Sequence, residues 1–159
     1  MDLIIRKGTE KDFPGLLSLI HETGVLEGLP NSVKNSVELM QKEKDLFHFF
    51  VAEQDGELIG SAVCFFVWYT WVGKSLYLDD LYIKSEYRGK KIGTKLLQKI
   101  FEFAKEENCK RLRFEVEEKN TKAQDFYRKL GAKMGDKWFN CDFDKEGIEA
   151  FIEMNKTKS

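Results

Sequence analysis

The chain has 159 residues, a length that predicts one domain over 1–159. Its 26 basic and 27 acidic residues leave a formal net charge of −1. Nucleic-acid-binding proteins usually carry a basic excess, so we expect no nucleic-acid partner. The sequence has no signal peptide and no stretch of about 18 apolar residues, which predicts a cytoplasmic protein without a membrane partner. Neither histidine has a neighbour that would complete a metal site, and the three cysteines are far apart, so we predict no metal.

The first half of the chain predicts two helices and four strands. Apolar residues recur at helical spacing after Thr9, which resembles an N-cap, and Gly24 is expected to end that helix. A second helix is predicted after Ser32. The predicted strands are Leu3–Arg6, Phe47–Glu53, Leu58–Trp68 and Leu76–Ile83. Strict alternation in the last of these predicts that Asp79 and Asp80 point to opposite faces of the sheet.

The second half predicts alternating helices and strands. The predicted helices are Ile92–Glu107, Thr121–Leu130 (closed by Gly131) and a short C-terminal helix around Phe151. The predicted strands are Arg111–Val116 and Trp138–Phe143. Antiparallel strands followed by a strand–helix–strand–helix unit indicate an α/β (α+β) fold, with a mixed sheet covered by helices.

A turn rich in glycine and basic residues lies between a predicted strand and a predicted helix. It contains Arg88, Gly89, Lys90, Lys91 and Gly93. At a helix start the backbone N–H groups lack intrahelical partners and the dipole is positive, which suits a phosphate or pyrophosphate. Glycine lets the backbone approach the ligand, and the cations add charge. Taken alone, the pattern is explained equally well by a simple turn with solvated lysines.

Two motifs resemble the signature of GNAT acetyltransferases. Leu78–Ile83, followed by Arg88, Lys91 and Gly93, is similar to a strand followed by Arg/Gln-x-x-Gly-x-Gly/Ala, with Lys91 in place of the central glycine. Asn120–Ala132 is similar to the second element, Asn-x-x-Ala-x-x-Phe-Tyr-x-x-x-Gly-Phe/Ala. The resemblance implies a GNAT-type fold with a mostly antiparallel central sheet, and acetyl-CoA as co-substrate.

The resemblance also implies the residues that contact the cofactor and the chemistry of transfer. The implied coenzyme A contacts are Leu81, Tyr82, Ile83, Arg88, Gly89, Lys90, Lys91, Ile92, Gly93, Thr94, Asn120, Phe126 and Tyr127. An alkyl ammonium titrates near 10, so the reaction needs a base on the amine side and a proton donor at the sulfur. By resemblance Tyr127 is that donor; the alternative is a packing residue with its hydroxyl in water. Direct attack in a ternary complex requires no acyl-enzyme.

The resemblance extends to the spermidine/spermine acetyltransferase branch and its thialysine-acetylating relatives, through the Trp-x-Gly-Lys-x-Leu-Tyr-Leu run that begins at Trp71. It implies a homodimer acting on a small-molecule amine, with Asp79 taking up the amine proton. Glu27, Trp71, Asp79 and Asp80 are the implied substrate contacts, since carboxylates and aromatic walls suit a cation. Alternatively, the aspartates satisfy backbone at a strand bulge, Glu27 is an ordinary loop charge, and the aromatics are core.

One departure from the motif of this branch bears on the identity of the substrate, and two rival functions compete with the acetylation of a small amine. Polyamine-acetylating members carry an acid where this chain has Tyr69 and Thr70, which favours a shorter diamine or a lysine-like amino acid. The rivals are a protein or peptide N-acetyltransferase and a non-catalytic acyl-CoA-binding module. The presence of both Asp79 and Tyr127 argues against the module.

Overall fold

The structure is a computed structural model that describes residues 2–135 and 137–156. The first part of the chain contains a five-stranded sheet. The strands are β1 (Leu3–Lys7), β2 (His48–Gln54), β3 (Glu57–Tyr69), β4 (Gly73–Ile83) and β5 (Leu112–Arg113). They lie in the order β1-β2-β3-β4-β5, with the first four antiparallel and β5 parallel to β4. Helices pack against this sheet, so the predicted mixed, mostly antiparallel fold is confirmed.

The helices begin and end close to their predicted positions, with two differences. They are α1 (Phe13–Leu26), α2 (Val37–Lys42), α3 (Ile92–Glu106), α4 (Thr121–Lys129) and α5 (Lys145–Lys156). α1 continues past Gly24 to Leu26, and the glycine with left-handed φ that follows it is Gly28 (φ 74°). α2 is capped by Ser36 rather than by the predicted Ser32, because the Ser36 hydroxyl accepts a hydrogen bond from the Leu39 N–H at 3.1 Å.

Two apolar layers cover the two faces of the sheet. On one face, α1 and α2 bury a cluster formed by Phe13, Leu16, Met40, Phe49 and Val51. On the other face, α3 directs its apolar side toward the strands, where the Phe103 ring lies against the rings of His48, Phe50 and Phe66. Because both layers are well buried, the sheet is a rigid support for the residues at its surface.

β4 contains a bulge that changes which side chains face α1. Leu78 pairs with Cys64 and Asp80 pairs with Val63, so Asp79 is the additional residue. Paired residues share a face of the sheet, and Cys64 and Val63 are neighbours on opposite faces. Leu78 and Asp80 therefore lie on opposite faces, and the predicted strict alternation along this strand is wrong. The extra residue places Asp79 and Asp80 on the same side, toward α1.

The chain divides into two compact units, Met1–Glu115 and Val116–Ser159. The sheet and α1–α3 belong to the first unit, and the second contains α4 and α5. The single domain over 1–159 stays a prediction. The predicted strand Arg111–Val116 is reduced to β5, and the predicted strand Trp138–Phe143 is wrong. A strand requires a hydrogen-bonded neighbour in a sheet, and the described five-stranded sheet does not include Trp138–Phe143.

Candidate active site

The turn between β4 and α3, residues Arg88–Thr94, is called the phosphate turn below. Its backbone enters the left-handed region at Gly89 (φ 77°) and again at Lys91 (φ 60°), directly before α3 begins at Ile92. Lys91 is the residue that replaces the expected glycine of the motif. It nevertheless adopts a conformation that favours glycine, so the turn keeps a glycine-like path at a cost in backbone strain.

The phosphate turn presents cations and backbone N–H groups on its surface. Arg88, Lys90 and Lys91 are exposed, and the Arg88 Nε donates a hydrogen bond to the Ile83 carbonyl at 3.0 Å. A Cβ added to Gly93 would meet only the Ile83 Cγ1, at 3.9 Å, so the space in front of this residue is open. The first N–H groups of α3 have no intrahelical acceptor. This combination fits a pyrophosphate at the start of the helix.

The last residues of β4 support the turn in different ways. Leu81 and Ile83 are half-buried, whereas Tyr82 is 8% exposed and its hydroxyl donates a hydrogen bond to Glu22 of α1 at 3.0 Å. Burial, and then the Glu22 carboxylate, raise the pKa of Tyr82. The Arg88 guanidinium lies 5.7 Å from the Tyr82 ring centroid. The side chain of Tyr82 therefore joins α1 to the phosphate turn.

A cavity of about 540 Å³ opens between α1, the segment around α2 and the face of β3 and β4 that carries the bulge. It is called the acidic cavity below. Four carboxylates line it, and no lysine, arginine or histidine is found among the described residues of its wall. The lining carboxylates are Glu27, Glu43, Asp79 and Asp80, and the lining aromatics are Phe47 and Phe65. Such a wall attracts a cationic ligand and opposes an anionic one.

The two adjacent aspartates in the acidic cavity have different surroundings. Asp80 is half-buried, and loss of hydration raises its pKa to about 6, with smaller contributions from the charges of Asp79 and Glu27. The N–H of Leu81 acts in the opposite direction by hydrogen bonding to Asp80. Asp79 is exposed; desolvation and then the charge of Glu115 raise its pKa. Loss of hydration thus raises the pKa of both neighbouring carboxylates in the cavity.

The predicted aromatic wall lies elsewhere. Trp71 is at the β3–β4 turn and 94% exposed, and Trp68 is 72% exposed; neither lines the acidic cavity. The Tyr69 ring lies 5.0 Å from the Arg111 guanidinium and 4.7 Å from that of Arg113. Trp71 as a substrate contact stays a prediction.

Glu43 and Phe47 are residues of the acidic cavity that the sequence reasoning missed. Glu43 caps the C-terminus of α2, and Phe47 directly precedes β2. Both lie in a connecting segment without a motif, so no local signal pointed to them. Glu27, which follows α1, is the predicted substrate contact that the fold brings to the two aspartates.

The second motif forms α4, in the second unit. Asn120 is its N-cap, and its side-chain oxygen accepts a hydrogen bond from the Ala123 N–H at 3.1 Å. Tyr127 is half-buried, and burial raises the pKa of its hydroxyl. The Phe126 and Tyr127 ring centroids lie 5.4 Å apart, and Gly131 ends the segment with φ 99°. At neutral pH the Tyr127 hydroxyl therefore carries a proton that it can donate.

No group of three or more His, Cys, Asp or Glu side chains within 2–135 and 137–156 is arranged to hold a metal ion. Across the same part of the chain, no helix has the length and apolarity needed to cross a bilayer.

Comparison with known proteins relates the chain to one family. Residues 20–132 match the acetyltransferase (GNAT) family. Thialysine N-epsilon-acetyltransferase of Sus scrofa is 34% identical, covering 92% of this chain and 95% of that protein. The Bos taurus protein of the same name is 37% identical, covering 82% and 84%. A predicted acetyltransferase from Clostridium acetobutylicum, crystallised with acetyl-CoA, shares the fold with a TM-score of 0.74 at 22% identity, over 89% of this chain and 96% of that one.

Proposed function

Because the chain belongs to the GNAT family of acetyltransferases, we propose that it transfers the acetyl group of acetyl-CoA to a primary amine of a small cationic molecule. The acceptor classes are a polyamine, a diamine or a lysine-like amino acid. The observation that carries this proposal is the acidic cavity, with four carboxylates and about 540 Å³ of space. That volume is in the usual range for small-molecule sites. The name of the thialysine-acetylating relatives supports the lysine-like class.

The phosphate turn is the proposed binding site for the pyrophosphate of acetyl-CoA. Arg88, Lys90 and Lys91 supply charge, and Gly89 and Gly93 keep the backbone open to the ligand. The residues of β4 from Leu81 to Ile83 and the motif residues Asn120 and Phe126 complete the proposed set of contacts, together with Ile92, Thr94 and Tyr127. The cofactor contributes an activated thioester carbonyl.

Proton handling divides between the two motifs. The acceptor arrives as an ammonium ion and must lose a proton before its nitrogen can attack. We assign that proton to the Asp79–Asp80 pair; the sequence motif favours Asp79. As the N–C bond forms, the nitrogen releases its second proton to solvent. As the C–S bond breaks, the Tyr127 hydroxyl protonates the leaving sulfur, and the resulting tyrosinate later regains a proton from solvent. The transfer is direct, in a ternary complex.

The assembly proposed from the family resemblance is a homodimer. The edge strand predicted at Trp138–Phe143 does not support it, since that segment is not a strand. The exposed rings of Trp138 (90%) and Phe139 (95%) do, because a second copy would cover them. Sedimentation should give about twice the chain mass of 18.6 kDa, and a single-chain mass would contradict the proposal.

A screen of acceptors tests the proposed function. Release of free coenzyme A thiol from acetyl-CoA should be measured with spermidine, putrescine, lysine, thialysine, an aminoglycoside and a lysine-containing peptide. We expect the highest kcat/KM for one of the small cations. A peptide preferred over every small amine would favour the peptide-acetylating alternative, and no thiol release with any amine would indicate a binding module.

A further inference from the structure

Given the proposed function, on which this inference rests, we infer that Arg111 and Arg113, held over the ring of Tyr69, bind the carboxylate of an amino-acid acceptor. The two residues are called the arginine pair below. The acidic cavity receives the side-chain ammonium group of the acceptor, and the arginine pair receives the carboxylate at its opposite end. The pair therefore selects a lysine-like amino acid over a diamine or a polyamine.

The arginine pair lies on the face of the sheet that carries the acidic cavity. Phe65 of β3 lines the cavity and pairs with Tyr77 of β4, which in turn pairs with Arg113 of β5. Paired residues share a face of a sheet, so Arg113 extends from the same face as Phe65. The Leu76 N–H donates a hydrogen bond to the Arg111 carbonyl at 2.9 Å, which continues the pairing with β4. Alternation along an extended chain then keeps Arg111 and Arg113 on one face.

The ring of Tyr69 holds both guanidinium groups in one place. Its centroid lies 5.0 Å from the Arg111 guanidinium and 4.7 Å from that of Arg113. Arg113 is exposed and Arg111 is half-buried. A guanidinium over an aromatic ring keeps its N–H donors in its own plane, where they match the two oxygens of a carboxylate. The arginine pair is therefore pre-organised for a carboxylate that arrives from solvent.

The charge of the acidic cavity makes a second site of opposite sign necessary for an amino-acid acceptor. Four carboxylates line the cavity, and they repel the carboxylate of such a molecule. The arginine pair lies outside the described wall of the cavity, so the carboxylate meets cations there. A diamine or a polyamine instead places a second ammonium group beside two guanidinium groups, and like charges disfavour its binding. The two sites together therefore discriminate by charge at both ends of the acceptor.

The surface between the two sites suits the stem of a lysine-like molecule. Arg113 is level with Tyr77, which lies two residues before Asp79, or roughly 7 Å along the strand. The flexible stem of a lysine side chain is of similar length. The Phe65 and Tyr77 rings stack with centroids 5.3 Å apart and form an apolar floor for that stem.

Glu115 supplies a carboxylate for the remaining charge of an amino acid, its α-ammonium group. After burial, the charge of Glu115 makes the next largest contribution to the raised pKa of Tyr77 and of Asp79, so Glu115 lies near both residues. It also follows β5 directly after the arginine pair. Each charged group of the amino acid therefore has a group of opposite charge on this face of the sheet.

The experiment compares two acceptors that differ only in the carboxylate, thialysine and its decarboxylated analogue. The wild-type protein should have the higher kcat/KM for thialysine. Arg113→Gln should lower kcat/KM for thialysine by roughly 10–100-fold, chiefly through KM, because charge-assisted hydrogen bonds to the carboxylate are lost. The same variant should keep kcat/KM for the decarboxylated analogue within about threefold of wild type. Arg111→Gln should change the preference in the same direction.

Tyr69 is a positioning residue in this arrangement, and its variants separate that role from a general loss of stability. Tyr69→Ala removes the ring under the arginine pair and should reduce the preference for thialysine, whereas Tyr69→Phe keeps the ring and should retain it. The matched control is Lys11→Gln, which removes one positive charge at an exposed residue that does not line the acidic cavity. Its preference should equal that of the wild type.

Two results would overturn the inference. One is a wild-type kcat/KM for the decarboxylated analogue that equals or exceeds the value for thialysine, which requires no variant to fold. The other is an equal loss on both acceptors in folded Arg113→Gln. Failure of the proposed function is distinct, because the wild-type protein would then turn over no amine.

Discussion

The phosphate turn and the acidic cavity both depend on β4, yet they are built in opposite ways. The turn follows the strand as one continuous segment, Arg88–Thr94, whose exposed cations and open backbone suit an anion. The cavity gathers carboxylates from the end of α1, from the segment after α2 and from the bulge inside β4, and it suits a cation. Local sequence creates the first site, and packing creates the second.

The two regions also differ in the free-energy cost that each imposes on the folded protein. At the phosphate turn the cost is backbone strain, since Lys91 adopts a left-handed φ of 60°. In the acidic cavity the cost is electrostatic, since Asp80 is held where loss of hydration raises its pKa to about 6. Functional sites commonly retain such locally unfavourable features. Substitutions in the two regions should therefore respond differently to pH.

The largest expected effect lies outside both regions, at Tyr127. Tyr127→Phe should lower kcat by about 10²–10⁴-fold with little change in coenzyme A affinity, because it removes the proton donor and keeps the ring. Steady-state kinetics and calorimetry measure the two quantities. A fall of less than about threefold in folded Tyr127→Phe would make Tyr127 a packing residue.

Gly93→Val tests the phosphate turn directly. Its side chain would occupy the open space in front of the backbone and meet only an ordinary contact within the protein, at 3.9 Å. The fold should persist, while loss of one or two charge-assisted hydrogen bonds weakens coenzyme A binding by roughly 10–100-fold. Calorimetry gives the affinity. Gly135→Val, where an added Cβ has no neighbour within 4 Å, serves as the control. Unchanged affinity in folded Gly93→Val would place the cofactor elsewhere.

Asp80→Asn should stabilise the protein at alkaline pH. The folded-state pKa of Asp80 is about 6 against an ordinary 3.8, so the folded state binds this proton more tightly than the unfolded chain. The wild-type protein therefore loses stability as pH rises through 4 to 6, by at most about 3 kcal/mol. Urea unfolding should give the variant a higher free energy of unfolding than the wild type at pH 8, and this difference should disappear near pH 4. A stability gain that does not depend on pH would show that it does not come from the ionisation of Asp80.

Lys91→Gly should give the smallest effect, a gain of about 1 kcal/mol in unfolding free energy. Glycine removes the left-handed strain at φ 60° but adds chain entropy to the unfolded state, so the two terms partly cancel. Unlike the stability gain from Asp80→Asn, the gain from Lys91→Gly should be the same at pH 5 and pH 8. Coenzyme A affinity should fall less than in Gly93→Val, since only one exposed charge is lost. Destabilisation by the glycine would show that Lys91 makes a compensating contact.

Much of the fold was predictable because its signals are local. The amphipathic spacing of α3 and the start of α4 at Thr121 each depend on residues within a few positions of one another, and both were predicted. The phosphate turn was predicted for the same reason. The strand at Trp138–Phe143 was predicted wrongly from its apolar and aromatic composition, because a strand also depends on a distant partner that composition does not reveal.

The sequence by itself determined the family, the order of the elements and the presence of two consecutive aspartates in β4. Only the tertiary structure decided where those aspartates point. A strand without interruption would have separated Asp79 from Asp80 across the sheet, whereas pairing with β3 introduces a bulge that places both in one cavity. Glu27 and Glu43 reach that cavity only because α1 and α2 pack over the same face. Register and packing are properties of paired, distant segments, which is why no local motif encodes them.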